Sequence, residues 1–141
     1  MKRALGVVAV LVLAATAASA TDPKVTGPEW QALSKSGQTE FIQNTLAKTK
    51  ARWKADAADQ RDEQAKAYDQ CFATETFDAA WVERARASIT RYYEDPKNSC
   101  HEARRAMQRS VDSTCETQIN IVLREGRLLL VPPVLPRCAA P

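Results

Sequence analysis

From residue 36 to residue 126, apolar side chains recur every three or four positions, and no stretch alternates as a half-buried strand does. That period predicts helices. Ile42, Leu46, Thr49, Trp53, Ala57, Gln60, Gln64, Tyr68 and Cys71 fall on one stripe when the chain turns about 100° per residue. The stripe predicts a long helix from near Ser36 to about Phe72, with Cys71 facing the core. It loses apolar character at Gln60 and Gln64, so a bend or opening is expected between Asp59 and Glu63.

A second stripe of Phe77, Trp81, Ala85, Ile89 and Tyr92 follows a turn at Thr74 to Asp78 that offers Thr and Asp as caps, and it should stop by Asp95, ahead of Pro96. The last long helix is expected from Ser99 as cap, with Glu102 three residues on completing a capping box. It carries Cys100, Ala103, Met107, Val111, Cys115 and Val122 on one face and ends at Gly126. A short helix from Pro28 to about Ser34 would dock Trp30 and Leu33 on this body.

The ends read differently. Lys2 and Arg3, an apolar run from Ala4 to Ala17 and the triplet Ala18, Ser19, Ala20 form the pattern of a cleaved secretory signal. An uncleaved membrane anchor is the alternative, but the run is shorter than the roughly 20 residues a spanning helix needs. The expected organisation is therefore a signal at 1–20, an N-terminal segment at 21–35, a helical bundle at 36–126 and an extended strap at 127–141. Cleavage removes two of the 20 basic residues and leaves 18 against 17 acidic ones. A mature chain so close to neutral does not suit nucleic acid as a partner.

Export also decides how the cysteines are read. Cys71, Cys100, Cys115 and Cys138 all follow the signal, and an even count in an oxidising compartment predicts two bridges. A metal centre would want close cysteine pairs and histidines, whereas His101 is the single histidine, so no metal or cofactor is expected. Helices joined by short turns pack antiparallel. The helix after Cys71 carries the chain about 24 Å to the far end, where Cys100 begins the next, and Cys115 lies about 22 Å back along it. Cys71 should therefore pair with Cys115, leaving Cys100 for Cys138. The tail reaches Cys100 only if nearly straight, about 43 Å of chain for about 37 Å of helix. Its Leu128 to Pro136 run favours such extended backbone.

Candidate chemistry is sparse. Lys48, Lys50, Arg52 and Lys54 alternate in sequence and so scatter around a helix instead of making one basic face. His101 beside Glu102 is the only grouping with acid and base potential, and it is expected as a surface histidine in an exposed first turn. Tyr92 and Tyr93 are adjacent and cannot both face inward equally. One of them, with Arg84, Arg86 or Arg91, is the candidate partner contact, because Tyr and Arg are frequent interface anchors. These features suit an exported non-enzymatic protein that inhibits, shields or escorts another exported protein, periplasmic or secreted. A small-molecule or lipid carrier with a cavity near Gln60 and Gln64, and an enzyme using His101, are the alternatives.

Overall fold

The computed structural model describes residues 24–59, 61–126 and 136–139. The expected signal, residue 60 and most of the strap lie outside the described residues. Within them the chain is all-helical and held by two disulfides. The order is α1 (Gly27–Ala32), α2 (Lys35–Asp56), α3 (Glu63–Thr74), α4 (Ala79–Tyr92), a 3-10 turn (Pro96–Asn98), α5 (Ala103–Thr114) and α6 (Glu116–Arg124).

The short helix α1 is fixed by its own start and by the distant turn it touches. The Glu29 carboxylate reaches back to accept from the Thr26 N–H and hydroxyl. Gly27 donates its N–H to the Ser99 carbonyl at 2.8 Å, and Val25 offers its carbonyl to the Ala103 N–H at 2.6 Å. This close approach leaves no room for a side chain at Gly27, where a Cβ would stand 3.0 Å from the Ser99 oxygen and from the Tyr93 ring. Trp30 is thereby driven fully into the core, its indole N–H donating to Thr90.

Ser34, not Ser36, caps α2, accepting from the Gly37 N–H. The single helix expected from Ser36 to Phe72 is in fact two. Chain direction reverses between Asp56 and Glu63, where Asp59 accepts from the Arg61 N–H and Asp62 caps α3 by accepting from the Ala65 N–H. The expected opening is thus a full turn, because an apolar stripe that fades there gives a continuous helix nothing to bury while two aspartates supply caps. Trp53 then folds back onto Tyr68.

Asp78 caps α4 through the Trp81 N–H, and α4 ends at Tyr92 ahead of Pro96, as the sequence implies. Tyr93, at the helix end, turns inward and is buried, while Tyr92 is half-buried. The expected capping box at Ser99 and Glu102 does not form. Ser99 closes the 3-10 turn that Asp95 initiates, and Glu102 takes the cap position without a capping hydrogen bond. The last helix also breaks, at Cys115, and α6 swings against α3, where Gln118 reaches Thr74 and Glu75. Gly126 closes α6 with a φ of 67°, a conformation that suits glycine.

Cys71 and Cys115 bond at the centre of the core, and Cys100 bonds Cys138 at its edge. The first bridge belongs to the same buried cluster as Ile42, Tyr68, Trp81, Ile89, Met107 and Val111. Two polar contacts pin the helices in register: Trp81 donates to Thr114, and Tyr68 donates to Asp112, which Gln108 also reaches. Desolvation, then the Asp112 carboxylate, pushes the Tyr68 hydroxyl well above the ordinary phenol range. No helix among the described residues is long and apolar enough to cross a membrane.

Candidate partner-contact surface

Helix α4 packs against both α5 and α2, and Trp30 of α1 reaches it at Thr90. On the side of α4 toward α2, Arg86 donates to Glu83 at 2.8 Å and Lys35 joins the same carboxylate at 3.5 Å. Arg86 is thus committed to an ion pair, its side chain only 25% exposed, and is removed from the candidate set. Tyr93 leaves it too. Its ring is 4% exposed, and its hydroxyl donates to the His101 carbonyl at 2.7 Å. Burial pushes that hydroxyl above its usual range, with the nearby Tyr92, Glu29 and Glu102 adding to the effect.

Arg84 and Arg91 remain. Seven positions apart in sequence, they lie two turns apart on one side of α4, about 100° around the helix from Glu83 and Thr90. Both are exposed. The sequence reading missed their counterparts on α5: Arg105 and Arg109, one turn apart and also exposed. The Arg109 guanidinium sits 4.9 Å from the centre of the Tyr92 ring, a contact between α5 and the end of α4. None of these four arginines forms an ion pair with a described residue. The only signal for the α5 pair was its four-residue spacing on the polar side of a helix.

His101 is not the exposed histidine expected from sequence. It is half-buried, with both ring nitrogens engaged. Nε2 donates to the Pro136 carbonyl at 2.9 Å, which can only accept, and Nδ1 shares a hydrogen bond with the Tyr92 hydroxyl. The imidazole therefore ties the strap to the end of α4. Glu102, its neighbour, is paired with Arg104.

Elsewhere the surface offers less. Lys50 lies over the Phe72 and Phe77 rings, and Arg52 lies over Trp53 and beside Asp56, so these basic residues point different ways. An open depression of about 270 Å³ between α2 and α4 is lined by Leu46, Lys50, Phe77 and Val82. A second, of about 180 Å³, lies between α3 and α6. Between α2 and α3, on the level of the expected carrier cavity, the Trp53–Tyr68 stack occupies the space, and Gln60 lies outside the described residues. Comparison of the chain with known protein families, with curated proteins and with solved structures finds no match.

Proposed function

We propose that this is an exported, non-enzymatic binding protein that docks through the α4–α5 face onto an acidic surface of another exported protein, inhibiting, shielding or escorting it. The observation that carries this reading is the set of four exposed arginines on α4 and α5, Arg109 among them stacked on Tyr92, that form no ion pair with a described residue. Guanidinium forks match carboxylates in a bidentate way, and Arg beside Tyr is the composition of interface anchors. An apolar docking patch fits less well, since Ile121 is the large apolar side chain left well exposed among the described residues. Four cations on a mature chain near electrical neutrality favour protein carboxylates over nucleic acid. Export is supported by the signal pattern and by two bridges of the kind that persist in oxidising compartments.

The test uses the mature, oxidised protein, immobilised and exposed to extract of exported proteins, beside the variant Arg84→Glu/Arg91→Glu/Arg109→Glu. The reading expects one acidic protein retained by the wild type, released by salt and absent from the variant. Retention of the same proteins by both would overturn it, as would retention of nucleic acid alone.

A further inference from the structure

The two disulfides sit in opposite settings. Cys71 and Cys115 are both 0% exposed, enclosed by the core. Cys100 is exposed and Cys138 half-buried. The Cys100 N–H donates to the Cys138 Sγ at 2.9 Å, so one sulfur of the outer bridge already has a donor aimed at it. A His101 ring nitrogen and both sulfurs lie within 4.8 Å of one another.

We infer that Cys100–Cys138 is a thiol-exchange site, at which a small monothiol adds to Cys100 and releases Cys138. The incoming thiolate attacks the sulfur of the exposed residue, forming a new S–S bond to Cys100. The bond to Cys138 breaks, and its electron pair leaves on the Cys138 sulfur. That thiolate is received by the Cys100 N–H and then takes a proton from water. A hydrogen bond to the leaving sulfur lowers its basicity, and a less basic thiol leaves faster. A second monothiol can then remove the first from Cys100, giving the external disulfide and two protein thiols, a two-electron reduction supplied by the two monothiols.

The exchange has a mechanical consequence. With the bridge open, the described end of the strap is held by the Cys138 N–H on the Lys97 carbonyl at 3.2 Å and by His101 on Pro136. The core bridge is out of reach of the same reagent, so it serves as an internal reference in one molecule.

The test treats the native oxidised protein with a monothiol of glutathione size, quenches with acid, alkylates free thiols and maps the peptides. The expected product carries the monothiol on Cys100 and the alkyl group on Cys138. It forms at least about tenfold faster than any opening of Cys71–Cys115. An adduct on Cys138, or opening of the core bridge at a similar rate, would overturn the inference.

Discussion

Trp53 of α2 lies almost parallel to Tyr68 of α3, ring centroids 4.4 Å apart and planes 11° from each other. Fifteen residues separate them in a chain whose pattern suggests one long helix, and only the reversal at Asp59 to Asp62 lets them meet. The stack therefore reports the hairpin. Trp53→Ala should destabilise the protein by about 2–3 kcal/mol, below the full cost of a buried Trp because Trp53 is half-buried. Urea unfolding followed by far-ultraviolet circular dichroism measures it, and a change under about 0.5 kcal/mol would contradict the packing described.

Removing the bridges one at a time should give unequal losses. The loops closed, 44 and 38 residues, differ too little to separate the two by chain entropy, and each contributes about 2–4 kcal/mol on that basis. The inner pair also fills the core. Cys71→Ala/Cys115→Ala should therefore cost more than Cys100→Ala/Cys138→Ala, by about 1 kcal/mol or more, in the same unfolding measurement.

Stability should fall in alkali from about pH 10 upward. Tyr68 and Tyr93 both have hydroxyl pKa values raised in the folded state, chiefly by burial. A raised value means their contribution is fully present below the unfolded value of 10.0 and is lost as pH rises toward the folded one. Melting temperatures taken from pH 8 to pH 11 should stay level and then drop, and Tyr68→Phe should flatten the drop.

Gly27→Ala should destabilise by about 1–3 kcal/mol, because the new methyl meets the Ser99 backbone oxygen, which cannot yield as a flexible side chain would. Loss of the α1 contact should show as a red-shifted, quenchable Trp30 in a variant lacking the other two tryptophans' signal.

Both cysteine pairings were legible from the sequence for a reason that survives the errors around them. Cys71–Cys115 depends on α4 carrying the chain away from Cys71 and α5 carrying it back, which neither break disturbs. Cys100–Cys138 follows as the remaining pair, although the span of about 37 Å expected for the tail assumed a continuous helix that breaks at Cys115. The break at Cys115 was hidden, since Val111, Cys115, Ile119 and Val122 keep helical spacing straight through it. What turns the chain there is long-range: α6 packs on α3 and the bridge holds Cys115.

Ser99 and Glu102 misled for a related reason. Their spacing satisfies a capping box, but the Ala103 N–H bonds to Val25, far away in sequence. Of the candidate contacts, Arg84 and Arg91 are exposed, while Arg86 pairs with Glu83 and Tyr93 is buried with its hydroxyl on the His101 carbonyl. Those partners, like the joining of Arg109 to Tyr92, exist only once α4 and α5 are side by side.

Arginine labelling with a dicarbonyl reagent, read residue by residue by mass spectrometry in free and partner-bound protein, tests the α4–α5 face most directly. In the free protein, Arg84, Arg91, Arg105 and Arg109 should react readily and Arg86, held by Glu83, slowly. With the retained acidic protein bound, those four should be protected severalfold while Arg52 and Arg61 stay unchanged. Continued full labelling of the four in the complex would contradict the proposed docking surface.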